Sequence, residues 1–258
     1  MTRLLGYQVR NVLRSRWLAA YALFFLLVTD ALLRFGGDDG KVLLGLGNVT
    51  LLVVPLVGLV FGTTALYEAR PFTELLLAQP VGRGQLFAAL YGGLALPTAA
   101  AYVLGAGLPF ALHGVPSGHG ASLLVLLGAG ALLTGVFVAL AFLVALRTDD
   151  RARGLGAAVG LWLALALLYD GGVLLLLAVF GDHALERPLL AAMLANPVDL
   201  ARVLLLLRFD GAALLGYTGA VFARFFGGPG ALVAAALLLA WVAVPAAFGA
   251  RAFRRKDF

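Results

Sequence analysis

An all-α membrane protein with six transmembrane helices is the fold class this 258-residue sequence predicts, and three observations carry it. Hydrophobic residues make up 62% of the chain and charged residues 12%, with a mean hydropathy of +1.01, far from the balance of a soluble domain. Six apolar runs, at residues 17–35, 42–66, 86–112, 121–146, 155–180 and 231–250, have the ~20 residues that a helix needs to cross a bilayer. The runs are Leu, Ala, Val and Phe without alternation, which argues against a transmembrane β-barrel. The whole chain, 1–258, reads as a single transmembrane domain.

Residues 1–16 read as an amphipathic interfacial helix. At 3.6 residues per turn Arg3, Arg10 and Arg14 fall within roughly 40° of one another, with Leu5, Val9 and Val12 opposite. That pattern suits a helix lying among lipid headgroups. Trp17 marks the interface where the first span begins. The second span carries a polar break at Asn48 to Thr50 but no charge. It contains Gly58 and Gly62, and the fifth span contains Gly156 and Gly160, both at the small-xxx-small spacing that lets helices approach closely.

Between the second and third spans, residues 67–85 carry Glu68, Arg70, Glu74 and Arg83 in one compact segment. Helix-forming residues 73–79 are closed by Pro80 and Gly82. A turn alone needs none of these charges. The segment predicts a small helix at the membrane surface, offered to a soluble partner. Residues 147–153 form a short polar turn with a basic bias.

The segment 181–230 is too polar to span, yet it holds amphipathic stretches at 189–194 and 200–207, hinged at Asn196-Pro197. Asp199 sits where its charge suits the start of the second stretch. Irregular backbone at membrane depth is tolerated only inside protein or against water. Short re-entrant or surface helices on the outer face are therefore expected. A seventh span here would bury Asn196, Asp199 and Arg202 at a cost of several kcal/mol.

Of the 19 Lys and Arg, thirteen flank the side that carries the N-terminus and six the other. The positive-inside rule then puts both termini in the cytoplasm, and six spans agree. The net charge of +6 is a topology signal, with no reason to invoke nucleic acid. The basic start leads into Leu18 without a small-x-small cleavage site, so no cleavable signal peptide is expected.

Catalytic motifs are missing. There is no G-x-x-x-x-G-K-[ST] phosphate loop, no H-E-x-x-H, no G-x-S-x-G and no cysteine. His113, His119 and His183 fall on outer loops without a ligand spacing, and no metal site is expected. Asp30 and Asp170 both lie about 20 Å into their spans at 1.5 Å per residue. They are candidates for a polar transport pathway, for solvation near the outer leaflet, or for a buried carboxylate dyad.

Several pieces together resemble the membrane subunit of bacterial ABC transporters of the type-2 permease class, and within it the NosY-type permease of the copper-processing system for nitrous oxide reductase. They are R-N-V-L-R-S-R-W ending at Trp17, E-A-R-P-F-T-E-L-L-L-A-Q-P-V-G-R starting at Glu68, A-N-P-V-D-L-A-R around Asn196 and Pro197, and F-R-R-K-D-F ending at Phe258. The resemblance covers the chain in order. It implies a coupling helix in 67–85, with Glu68, Arg70, Glu74, Pro80 and Arg83 contacting a separate ATPase and driving the second and third spans. It implies that ATP and Mg bind on that ATPase, with no cofactor on this chain. It implies a permease homodimer in the bacterial inner membrane. Asn196, Pro197, Asp199 and Arg202 become candidates for contact with a periplasmic protein. The other readings are an exporter of lipid, peptide or drug, a membrane-embedded enzyme using Asp30 and Asp170, and a passive anchor for an outer partner.

Overall fold

The computed structural model describes residues 2–77, 80–115, 118–180, 186–208 and 230–256. Residues 78–79 of the 67–85 segment, and 181–185 and 209–229 of the outer segment with His183 and Arg224, lie outside the described residues. Every regular element among the described residues is helical. The order is α1 (Thr2–Leu13), α2 (Arg16–Phe35), α3 (Asp39–Glu68), α4 (Arg70–Leu77), α5 (Arg83–His113) and α6 (Gly120–Arg147). There follow α7 (Arg151–Leu163), a π-helical turn (Ala164–Leu168), α8 (Tyr169–Phe180), α9 (Glu186–Ala195), α10 (Pro197–Arg208) and α11 (Gly230–Arg255).

Six helices are long and apolar enough to cross a membrane: Arg16–Phe35, Gly40–Glu68, Arg83–His113, Gly120–Arg147, Arg151–Leu175 and Leu232–Arg255. They match the six apolar runs in order. The fifth differs in make-up, since the π turn divides it into α7 and α8. A π turn frees backbone carbonyls from their regular partners, and the neighbouring α10 uses one of them.

The core sits around α6. Its Leu126, Leu133, Val136, Phe137, Val138 and Ala141 are fully enclosed, because α3, α5, α10 and α11 all pack on it. Gly62 of α3 permits the closest approach: a methyl group there would overlap Ala141, and Gly58 does the same service against Phe137. The expected close packing at Gly58 and Gly62 is therefore an α3–α6 contact. Gly156 and Gly160 face open space, with nothing within 4 Å of the position a side-chain carbon would take.

Of the polar break in the second span, Asn48 is exposed and Thr50 is satisfied inside the bundle. Thr50 donates to the Leu46 carbonyl at 2.8 Å and meets the Tyr102 hydroxyl at 3.2 Å, which also reaches the Leu126 carbonyl at 3.3 Å. Three helices are thereby joined where an unpaired hydroxyl would be costly. α1 ends two residues before α2 begins and packs along α5, with Gln8 lying over Gly93.

Candidate functional site

Two polar clusters lie at opposite ends of the bundle. The first is the corner between α3 and α5. Pro71 cannot donate a backbone hydrogen bond, so α3 stops and a new helix begins, a favourable place for proline. The Ala69 carbonyl accepts from Thr73 at 2.8 Å and opens α4. Thr73 and Leu76 of α4 point inward, and Leu76 joins an apolar cluster with Tyr67, Leu86, Phe142 and Phe253. The outward face carries Pro71, Glu74 and Leu75, all exposed, with Leu75 63% accessible.

The candidate residues of this corner divide into two groups. Glu68, Glu74 and Pro80 are exposed, and Glu68 pairs loosely with Arg151 at 3.1 Å across two open side chains. Arg70 turns the other way. Its guanidinium lies 4.4 Å over the Tyr67 ring and donates to the carbonyls of Thr148 at 2.7 Å, Asp149 at 2.9 Å and Ala145 at 3.1 Å. Arg83 also turns inward and donates to the Arg254 and Lys256 carbonyls, both at 2.9 Å. Both arginines are thus engaged within the subunit.

Residues that carry no signal in the sequence complete this corner. The Tyr67 hydroxyl bonds Thr148 through its side chain and carbonyl, and Gly154 leaves room for it, since a side chain there would collide with the ring. Lys256 donates to the Leu146 carbonyl at 2.8 Å and to the Asp149 carboxylate at 2.9 Å. That hydrogen bond, with the lysine's charge, holds the Asp149 carboxyl below its ordinary range. Leu75, by contrast, had a legible one. With Thr73 and Leu76 inward at helical spacing, positions 74 and 75 must face out. A cleft of about 560 Å³ lies between the α1–α2 elbow and α3, walled by Val12, Trp17, Phe61 and Phe72. The ties of the corner therefore run to α6 and α11 rather than to α2.

The second cluster gathers α8, α9, α10 and the π turn. Asn196 caps α10: its side-chain oxygen accepts from Val198 at 3.0 Å, and Pro197 takes the first helical position. The Asn196 amide donates to the Leu165 carbonyl of the π turn at 2.9 Å and to Asp199 at 3.1 Å. Arg202 bridges Asp170 at 2.7 Å and Asp199 at 3.0 Å. Tyr169 donates to the Ala192 carbonyl at 2.6 Å, and Trp241 to that of Leu194 at 3.1 Å.

The described residues show where these candidates sit within the subunit. Asn196, Pro197 and Asp199 are buried, and their polar atoms are taken up in seating α10, so they do not form an open docking patch in the subunit. Asp170 belongs with them rather than with Asp30. Asp30 is held instead by Arg34 at 2.8 Å and by His113 at 3.4 Å. Within the subunit the two carboxylates thus have separate partners. Among the described residues no group of three or more His, Cys, Asp or Glu is placed to hold a metal.

The comparisons with known proteins agree with this architecture. The family model for the ABC-2 family transporter protein matches residues 4–258. A probable ABC transporter permease protein NosY of Pseudomonas aeruginosa is 33% identical over 226 residues, covering 81% of this chain and 82% of that protein. A protein of the same description from Stutzerimonas stutzeri is 29% identical, covering 96% of each chain. Six helices long and apolar enough to cross a membrane and a family match across nearly every residue lead to one assignment. The chain belongs to the ABC-2 transporter family, as the membrane permease subunit of an ABC transporter.

Proposed function

We propose that this permease couples a separate ATPase to work at the outer face of the bacterial inner membrane, and that it serves copper-site maturation of nitrous oxide reductase as a NosY-like subunit. One observation carries the coupling role. The inward face of α4 is locked into the bundle, while Pro71, Glu74 and Leu75 are left uncovered beyond the apolar spans. An exposed leucine beside a carboxylate suits a protein contact: the apolar group contributes affinity and the charge sets register. The excess of Lys and Arg on this side favours a cytoplasmic position. ATP and Mg belong to the partner in this reading.

Two copies of the chain form the pathway. What supports pairing is the fifth span, whose apolar window is only 11% buried within the subunit against 56% for α3. Gly156 and Gly160 lie open on it. The copper assignment rests on the similarity to the two NosY permeases.

The test is co-purification of the permease with its cognate ATPase from membranes. The intact complex should hydrolyse ATP faster than the ATPase alone. Glu68→Lys combined with Glu74→Lys should weaken capture by about tenfold or more, the equivalent of about 1.4 kcal/mol. Capture at the wild-type level would refute the coupling role of this face. For the copper role, nitrous oxide reductase from cells lacking this chain should be copper-deficient, and a fully loaded enzyme would exclude it.

A further inference from the structure

The last four carbonyls of an α-helix have no partner within the helix and carry the negative end of its dipole. At the end of α6, the central helix of the bundle, these groups are distributed between local and distant donors. The Thr148 hydroxyl takes the Val144 carbonyl at 2.9 Å. Arg70, from the first position of α4, takes Ala145 together with Thr148 and Asp149 just beyond the helix. Lys256, just past α11, takes Leu146 and the Asp149 carboxylate. Both cations are largely covered, with 22% and 18% of their side chains accessible. Arg83 at the start of α5 grips the carbonyls of Arg254 and Lys256, fastening the chain end in turn.

The chemistry of the two cations fits a joint better than a docking contact. The planar guanidinium of Arg70 directs two nitrogens at three carbonyls, a geometry lysine cannot reproduce. Its nearest carboxylate contact is the long 3.9 Å approach of Asp149, so its charge is matched chiefly by the helix end. Tyr67 supports it from below and ties the same Thr148. Nothing comparable links the corner to α2 among the described residues.

From this we infer that Arg70 and Lys256 form a joint that delivers displacement of α4 to the ends of α6 and α11. The inference rests on the reading that α4 receives the ATPase. It extends that reading, because the moving parts become the fourth and sixth spans as well as the second and third. Arg70 and Lys256 are positioning residues here: they do not touch the ATPase. Docking belongs to the exposed Glu74 and Leu75 of α4.

The chain has no cysteine, so labels enter it only at the positions introduced, and mixing labelled with unlabelled permease isolates the pair within one subunit. Phe35→Cys on α2 and Leu124→Cys on α6 are both well exposed, at 85% and 72%, near the end of the bundle away from the corner. A spin-label distance between them is measured in the full permease–ATPase complex in nanodiscs, with ADP and with ATP. In the parent the distance should change with nucleotide. Arg70→Gln should keep ATPase capture within about twofold, as expected for a site that does not share the docking contact, while losing the nucleotide-dependent change. Lys256→Met should reduce that change, and Arg70→Lys should restore part of it. Glu74→Lys should instead lose capture.

Loss of capture in Arg70→Gln equal to that in Glu74→Lys would make Arg70 a docking residue and overturn the joint. So would an unchanged nucleotide response in Arg70→Gln, or a parent complex whose labels do not respond. Where Arg70→Gln fails to insert, Lys256→Met and Arg70→Lys carry the same two readouts. A parent permease that captures no ATPase overturns the coupling role itself, and the joint with it.

Discussion

Arg202→Met is expected to lower stability by about 2–3 kcal/mol and to loosen α10 from α8. The arginine is the shared counter-ion of Asp170, at 2.7 Å, and Asp199, at 3.0 Å. Asp199 has only 12% of its side chain accessible, whereas Asp170 and Arg202 are about a third open, at 37% and 34%. Removing one partner of a fully buried pair costs about 3–5 kcal/mol, and partial access to solvent reduces that. Two carboxylates would then be left near each other without their shared counter-ion. The decisive comparison is the triple variant Asp170→Asn, Asp199→Asn, Arg202→Met, which carries no charge and should regain most of the loss. Thermal unfolding in nanodiscs would measure it. An Arg202→Met protein that melts with the wild type would mean that α10 is seated by its apolar face alone, through Val198, Leu200, Val203 and Leu205.

A larger cost is expected from Gly62→Leu. Gly62 lies against Val138 and Ala141, where even a methyl group would overlap Ala141. Overpacking a filled core costs about 1–3 kcal/mol and occasionally more. Here the upper end applies, because α3 and α6 are both long and prying apart one contact shifts the rest. Folded yield in membranes should fall severely. Gly160→Leu is the matched control. It sits in the same spacing motif, yet nothing lies within 4 Å of it, so the single subunit should fold normally. Equal yields for the two variants would dismiss the α3–α6 contact as the reason for Gly62.

That pair of glycines also illustrates what was readable in the sequence. The motif announced close approach in both spans, but only the neighbour's identity separates them, and a local pattern does not contain it. Span number and order were legible because hydrocarbon admits only internally bonded backbone, so apolar length alone defines a helix. The corner was legible because Glu68, Arg70, Glu74 and Arg83 fall between two apolar runs and Pro80 and Gly82 close a helix-forming stretch. The partners of its arginines were not. Arg70 and Arg83 look like solvent-facing charges, and the carbonyls they serve lie 75–79 and 171–173 residues away along the chain. Asp170 and Arg202 likewise read as separate features, because only folding of α10 onto α8 joins them. The π turn had no signal at all, since Ala164–Leu168 is uniformly apolar.

The order in which the chain is made gives Lys256 a special place. Synthesis runs from the N-terminus, and early parts can organise before later ones exist. Leu146 leaves the ribosome 110 residues ahead of the lysine that closes over its carbonyl. Throughout that interval α6 has Arg70 at hand but lacks its second cation. A product ending at Arg255 would contain the six spans of the described residues and still lack the second cation on its central helix. Emergence of Lys256 is, for this protein, also the moment at which the end of α6 is closed.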